Sequence, residues 1–201
     1  MASHTSGEYL QHVFGLQNRT AVVIGGTGVV GGAIAPALAQ AGAHTIVVGR
    51  NADAGAACVA EIAELGGAAE FVAADSTNRA DLEAIVAHVS GQDRTVDVLV
   101  NGAGINSATP FLEIDDDEWE NILNVNLRSV RLACQVFGGH MLEQKVAGSI
   151  INIASLSGMT PLSRVFTYSA TKAAVINLTQ NLAREWATAG IRVNSLSPGF
   201  F

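Results

Sequence analysis

The sequence of 201 residues predicts an α/β protein with a doubly wound parallel sheet and helices on both faces. Three observations support this prediction. Six short apolar runs rich in Val and Ile alternate with alanine-rich segments of helical length. The runs are continuously apolar, as expected for strands covered on both faces. A glycine-rich turn directly follows the first run, which is typical of a strand passing into a helix.

The predicted elements alternate strictly between strand and helix, and glycines end several of the helices, among them Gly42, Gly91 and Gly190. The predicted strands span 20–25, 44–49, 69–74, 96–101, 148–154 and 191–197. The predicted helices span 29–41, 52–65, 78–90, 116–144 and 164–188. Because no linker or repeat interrupts this alternation, residues 1–201 are expected to form a single domain.

Composition excludes several classes of protein. A hydrophobic fraction of 49% with 14% charged residues argues against disorder, and a net charge of −7 leaves no basic patch for nucleic acid. Cys58 and Cys134 are isolated, which indicates buried thiols and a cytoplasmic location. The histidines form no metal-binding pair, and the acidic run 113–120 reads as a helix N-terminus, so no metal is expected.

The segment 20–49 contains no charged residue, and two interpretations compete for it. A membrane span is disfavoured because glycines, Pro36 and Gln40 interrupt the apolar stretch. A nucleotide cradle is favoured because Gly26, Gly28 and Gly31 follow a strand and open a helix in the pattern G-x-G-x-x-G. A glycine turn that binds nothing remains the alternative.

The end of the second predicted strand indicates which dinucleotide binds. An acidic residue there would bind the ribose hydroxyl of NAD, but the sequence has Gly49 and Arg50. Because a guanidinium pairs well with a phosphate, Arg50 favours NADP(H), with NAD(H) as the second candidate. A solvated loop arginine is the alternative.

Tyr168 and Lys172 lie four residues apart in the last predicted helix, so their side chains share one helix face. A free tyrosine is a poor base at neutral pH because its pKa is about 10. A neighbouring ammonium stabilises the phenolate and suits the tyrosine to proton transfer. Taken alone, this spacing is a weak signal, because such a pair is usually an ordinary surface pair.

Together these features resemble the short-chain dehydrogenase/reductase family, of the type termed classical, over nearly the whole chain. The resemblance rests on "IGGTGVVGGAIA", Asp75, "NGAG" at 101–104, "NVNLRSV" at 124–130, Ser155, "YSATK" and "SPG" at 197–199. It implies a Rossmann-type fold and an NAD(P)(H)-dependent oxidoreductase that interconverts a secondary alcohol and a ketone. A non-catalytic dinucleotide-binding regulator and an extended-type sugar-nucleotide epimerase are the alternatives.

The resemblance implies a catalytic set of four residues. Tyr168 exchanges a proton with the substrate oxygen, and Lys172 also binds the nicotinamide ribose. Ser155 holds the substrate oxygen, and Asn126 holds a water that relays protons. Ordinary structural roles remain open for Ser155 and Asn126. A shift in register would put Ser157, Asn121 or Asn124 in their places.

The resemblance also implies a set of cofactor-binding residues at the ends of the strands. They are Gly25, Thr27, Gly28, Val30, Gly31, Arg50, Asn51, Asp75, Ser76, Asn101, Ala103, Gly104, Tyr168, Lys172, Pro198 and Gly199. Asp75 is expected to receive the adenine amino group. Pro198 and Gly199 are expected to line the nicotinamide end.

The chain departs from the family pattern in four places. Glycines 25, 28 and 31 have the spacing of the extended branch, and Gly102 replaces an asparagine of the usual "NNAG". Pro36 is expected to kink the first helix or to remove a hydrogen bond from it. The chain stops at "SPGFF", where family members continue with a lid, a helix and a seventh strand. The seventh-strand region is therefore expected to be absent, and the chain to be C-terminally truncated relative to the family.

The phrase "TPLSRVFTYSATKAAV" is most similar to sugar-acid oxidoreductases of the family, such as gluconate or mannonate dehydrogenases. Candidate substrate contacts are Asn106, Ser155, Arg164 and Tyr168. Arg164 is predicted to lie one helical turn before Tyr168, where it would pair with a substrate carboxylate, with a solvent-facing role as the alternative. The expected partners are a small-molecule substrate and further copies of the chain in a dimer or tetramer, without nucleic acid or membrane.

Overall fold

The structure is a computed structural model and describes residues 6–200. Its six strands form one parallel sheet in the order β3-β2-β1-β4-β5-β6. The strands are β1 Thr20–Ile24, β2 His44–Gly49, β3 Ala68–Ala73, β4 Val98–Asn101, β5 Ser149–Ile153 and β6 Arg192–Leu196. The helices are α1 Ser6–Phe14, α2 Val29–Gln40, α3 Ala52–Glu64, α4 Arg79–Ser90, α5 Asp116–Leu123, α6 Ser129–Glu143 and α7 Phe166–Trp186. The predicted fold class is confirmed.

The inner strands β1, β2 and β4 are buried on both faces because their successive residues point into opposite cores. In β1, Val22 and Ile24 belong to the core that includes Phe137. Ala21 and Val23 belong to the core on the other face, which includes Ile62. This two-sided burial explains why the strands read as continuous apolar runs.

Side-chain caps define where several helices begin. The side chains of Asn51, Asn78 and Asp115 each accept a hydrogen bond from a backbone N–H of the first turn that follows. Such caps satisfy N–H groups that have no partner within the helix. The acidic run near 115 is therefore a helix N-terminus, as predicted.

Two predicted helix boundaries were wrong. The segment 116–144 is not one α-helix, because a π-helical turn at Asn124–Arg128 separates α5 from α6. Helix α7 begins at Phe166, so Arg164 precedes it and has a left-handed backbone with φ of 59°. Helix α2 continues through the buried Pro36 to Gln40 and lacks the hydrogen bond that an N–H at residue 36 would make, which is one of the two expected effects of this proline.

Helix α1 was not predicted from the sequence. The side chains of Tyr9, Leu10 and Phe14 in this helix are exposed. Cys58 and Cys134 are buried free thiols, as predicted. Within residues 6–200, no helix is both long enough and apolar enough to cross a membrane.

Candidate active site

The carboxyl ends of the strands lie at one edge of the sheet. The register pairs Ile24 with Asn101, Asn101 with Asn152, and Gly49 with Ala73, so the segments that follow these residues emerge side by side. A cleft of about 300 Å³ opens at this edge, where β1 and β4 are neighbours and their helices diverge to opposite faces. Parallel sheets of this order bind ligands at this position.

The glycine turn after β1 has the backbone geometry of an anion cradle. Gly25 has φ of +74° and donates its N–H to the Val48 carbonyl at 2.9 Å. A Cβ at Gly31 would overlap the Gly25 carbonyl, so the turn packs directly on α2 only because residue 31 is glycine. Gly28 is the N-cap of α2 without a side-chain cap, which leaves N–H groups of the first turn available to a phosphate. The turn therefore fits a dinucleotide pyrophosphate.

Replacing Gly31 with Ala should damage this cradle selectively. The added methyl forces the turn away from α2, which we expect to destabilise the fold by about 1–3 kcal/mol and to raise the Kd for NADPH by about tenfold or more. Fluorescence titration with NADPH and thermal unfolding measure the two effects. Gly32→Ala is the matched control, because a Cβ there would meet its nearest atom at 3.6 Å, an ordinary contact. Equal NADPH binding by the two variants would refute the cradle.

The outer end of the cleft carries the polar groups expected for an adenosine site. Thr27, Arg50, Asp75 and Ser76 line it. The N–H and hydroxyl of Thr77 both donate to Asp75, at 2.9 and 2.8 Å, and together with the charge of Arg50 they lower the pKa of Asp75. A charged, oriented carboxylate at this point can accept the hydrogens of an amino group.

Lys172 and Tyr168 lie next to each other just beyond the inner end of the cleft, which Gly104 lines. The Lys172 Nζ is 5.4 Å from the centroid of the Tyr168 ring and donates to the Ile153 carbonyl at 2.7 Å. Lys172 is 3% exposed, and this burial lowers its pKa to about 8. This pKa lies above neutral pH, so the buried side chain carries an ammonium charge beside the tyrosine ring.

Asn126 occupies the π-helical turn and is fully buried. Its Oδ1 accepts from the Ile105 N–H at 2.8 Å, and its Nδ2 donates to the Ile105 carbonyl at 2.8 Å. The same Nδ2 donates to the Thr171 hydroxyl, which donates to the Tyr168 carbonyl at 2.6 Å. The Asn126 side chain therefore joins the loop after β4 to the helix that carries Tyr168 and Lys172.

Gly104 and Ser155 complete the inner end. A Cβ on Gly104 would lie 3.5 Å from both Asn126 Oδ1 and Lys172 Nζ, so both side chains face this glycine. Ser155 lies two residues after Ile153, the last residue of β5. The Ile153 carbonyl accepts the hydrogen bond from Lys172. Four side chains named from the sequence thus come from β5, the π-helical turn and α7 to the same edge of the sheet.

The predicted cofactor residues divide into two groups. Gly25, Thr27, Gly28, Arg50, Asp75, Ser76, Ala103 and Gly104 line the cleft, whereas Val30, Gly31, Asn51, Asn101, Tyr168, Lys172, Pro198 and Gly199 do not. Asn101 instead donates to Asn152 Oδ1 in the core at 2.8 Å, and Asn51 caps α3. The Pro198 carbonyl accepts from the Leu156 N–H at 3.0 Å, which places "SPG" beside Ser155.

The structure also places the predicted substrate residues and adds others to the site. Tyr168 and Arg164 border a small crevice together with Ser107 and Thr109, whereas Asn106 is exposed and does not line it. Thr77, Asn121, Asn124 and Val125 line the cofactor cleft without having been predicted as cofactor residues. Asn124 and Val125 begin the π-helical turn and Asn121 lies in α5 just before it, and no local sequence pattern specifies that turn.

This arrangement defines the class of protein. Parallel strands that deliver a phosphate cradle and a Tyr–Lys pair to one edge provide binding for a nicotinamide dinucleotide and proton transfer beside it. Residues 19–201 match the family model described as short chain dehydrogenase. The chain belongs to the short-chain dehydrogenase family.

Relatives and solved structures agree with this assignment. The chain is 37% identical over 195 residues to a 2-dehydro-3-deoxy-D-gluconate 5-dehydrogenase of Bacillus subtilis, covering 96% of this chain and 74% of that protein. It is 38% identical over 185 residues to 3beta-hydroxysteroid dehydrogenase 2 of Eggerthella lenta, covering 92% and 71%. A structure from Beutenbergia cavernae, provisionally described as an NAD(P)-dependent gluconate 5-dehydrogenase with NADP bound at low occupancy, superposes with a TM-score of 0.86 at 40% identity, covering 93% and 74%.

The protein is thus an NAD(P)-dependent oxidoreductase that acts on CH–OH groups and interconverts an alcohol and a ketone. Its neighbours include sugar-acid dehydrogenases, as the sequence resemblance implied. The regulator and epimerase alternatives are not favoured.

Proposed function

We propose that this enzyme interconverts the secondary alcohol and ketone of a sugar acid, with NADP(H) as its preferred cofactor and Tyr168 as its proton donor. One observation carries the proposal: the buried Lys172 ammonium lies 5.4 Å from the Tyr168 ring beside a cleft with a phosphate cradle. A nicotinamide bound in that cleft supplies or accepts the hydride.

The chain's own residues manage the proton and the charge. In the reductive direction, Tyr168 gives its hydroxyl proton to the carbonyl oxygen as negative charge develops there. Lys172 stabilises the resulting phenolate, and Ser155 donates a hydrogen bond to the same substrate oxygen. Asn126 holds the loop after β4 and the helix of Tyr168 in place, and the irregular turn that carries it is where we place the proton-relay water.

The preference for NADP(H) rests on the outer wall of the cleft. Arg50 follows β2 where an acidic residue would favour NAD, and within residues 6–200 it forms no ion pair. Thr27 lies nearby because Gly49 has no side chain: a Cβ there would be 2.8 Å from the Thr27 hydroxyl. A guanidinium and a hydroxyl on one wall suit a 2′-phosphate.

The sugar-acid substrate is supported by the position of Arg164 near Tyr168. Arg164 is exposed, precedes α7 with its left-handed backbone and borders the same closed crevice as Tyr168. The Ser107 and Thr109 hydroxyls in that crevice bond to each other and to Glu118, so the exposed guanidinium is the group that can pair with a carboxylate. The B. subtilis and B. cavernae neighbours described above bear gluconate-type names.

Reduction of 5-keto-D-gluconate by NADPH, compared with D-fructose as a neutral ketose, tests the substrate. Arg164→Gln should raise the KM for the keto acid by about tenfold or more, the value of a charge-assisted hydrogen bond, and leave the KM for fructose unchanged. Arg184→Gln, at the far end of α7, is the matched control. Preference for neutral ketones by the unaltered enzyme would contradict the sugar-acid substrate while leaving the reductase intact.

We also propose that 1–201 form one domain that assembles as a homo-oligomer in the cytoplasm. Leu123, Leu127 and Leu178 line an open groove of about 660 Å³ between α5, the π-helical turn and α7, together with the charged residues Glu120, Arg128 and Arg131. An apolar groove with charges of both signs suits a second copy of this surface. Sedimentation at the mass of one chain would contradict the assembly.

The buried free thiols support a location in a reducing compartment such as the cytoplasm, which cell fractionation tests.

A further inference from the structure

We propose that Ser157 is a positioning residue that fixes the direction in which Ser155 donates its hydroxyl proton. The inference rests on the proposed role of Ser155 at the substrate oxygen and adds a residue to that site. It derives from the short 3₁₀ turn Leu156–Gly158 that follows β5, of which Ser155 is the N-cap.

Two hydrogen bonds from one residue converge on the Ser155 oxygen. The Ser157 N–H donates to Ser155 Oγ at 3.2 Å, and the Ser157 hydroxyl donates to the same atom at 3.1 Å. A serine hydroxyl has two acceptor positions and one proton to donate. Because Ser157 fills both acceptor positions, the remaining function of the Ser155 hydroxyl is to donate outward.

Burial shows which serine lies behind the other. Ser157 is 5% exposed, whereas Ser155 is half-buried and keeps part of its surface in contact with solvent. The outward direction of the Ser155 proton is therefore the side from which a substrate approaches. A donor already pointing at a developing oxyanion needs no reorganisation during the reaction.

The rest of the turn holds this pair against the catalytic helix. Leu156 N–H donates to the Pro198 carbonyl at 3.0 Å, and Gly158 N–H donates to the Ser155 carbonyl at 3.0 Å. A Cβ on Gly158 would lie 2.8 Å from the Lys172 carbonyl carbon, so the turn packs on the backbone of α7 at Lys172. Ser157 thus orients Ser155 from a rigid support next to the Tyr168–Lys172 pair.

A double-mutant cycle with NADPH and 5-keto-D-gluconate tests the proposal. Ser157→Ala should lower kcat by about five- to tenfold, the value of one hydrogen bond between neutral groups, with KM and the Kd for NADPH unchanged. In a Ser155→Ala background, the same substitution should have no further effect on kcat. Ser169→Ala is the matched control, because the Ser169 hydroxyl beside Tyr168 has no hydrogen-bond partner among residues 6–200.

Amide hydrogen exchange gives a readout independent of activity. The Ser157 N–H should exchange faster in Ser155→Ala than in the unaltered protein, because its acceptor is lost. An unchanged exchange rate, or an equal loss of kcat on Ser157→Ala in both backgrounds, would overturn the positioning role. Absence of turnover by the unaltered enzyme would instead contradict the proposed sugar-acid reduction, and the exchange experiment would then decide the Ser155–Ser157 contact alone.

Discussion

Tyr168→Phe should reduce turnover by about a thousandfold or more, because it removes the only hydroxyl that we assign to protonate the substrate oxygen. The ring, its packing and the nearby Lys172 ammonium remain in place. Binding of NADPH should therefore be unchanged. Steady-state kinetics with 5-keto-D-gluconate and fluorescence titration with NADPH measure the two quantities separately.

The chain contains one other tyrosine, which provides the control for this experiment. Tyr9 lies in α1, is 58% exposed and does not line the cleft. Tyr9→Phe should leave both turnover and NADPH binding unchanged. If Tyr168→Phe retained most of its turnover, another group would have to supply the proton, and the proposed mechanism would be wrong.

Arg50→Gln should weaken NADPH binding by about 10- to 100-fold and leave NADH binding unchanged. The expected loss equals about 1.5–3 kcal/mol, the range for a hydrogen bond to a charged group. It is confined to NADPH because only that dinucleotide carries the 2′-phosphate that we place against Arg50. Titrations with each dinucleotide at fixed ionic strength measure this ratio.

Arg94→Gln controls for the change in net charge. Arg94 is exposed and precedes β4, at the end of the sheet opposite to the cleft. The Arg94→Gln variant should bind NADPH and NADH almost as tightly as the unaltered enzyme, with the same small loss for both. An equal loss of both affinities in Arg50→Gln would show that Arg50 acts on the shared part of the cofactor, and the preference for NADP(H) would lose its support.

Much of the site could be predicted because parallel topology converts sequence order into spatial proximity. Arg50, Asp75 and Ser155 follow three different strands, and parallel strands place all such residues at one edge. Gly31 could be placed at a close backbone approach because a glycine at that spacing after a strand permits it. These inferences need only the order of the elements.

The positions that were wrong or missed depend on contacts distant in sequence. The run at 124–128 has apolar residues compatible with an α-helix, and its π-helical turn accompanies the bonds of Asn126 to Ile105 and Thr171. Arg164 has a left-handed backbone, which residues other than glycine rarely adopt. The sequence therefore predicted that the last helix begins at residue 164. In both places tertiary contacts outweigh local preference.

The sequence by itself determined the fold class, because burial of the strands leaves continuous apolar runs in the chain. Its motifs identified the family by resemblance and named the residues of the proposed catalytic set. Only the tertiary structure decided how those residues meet. The separation between Lys172 and Tyr168, the burial that lowers the pKa of Lys172 to about 8, and the two hydrogen bonds from Ser157 to Ser155 depend on how α7 packs against the end of β5. That packing results from many simultaneous contacts between distant segments, which no local pattern in the sequence specifies.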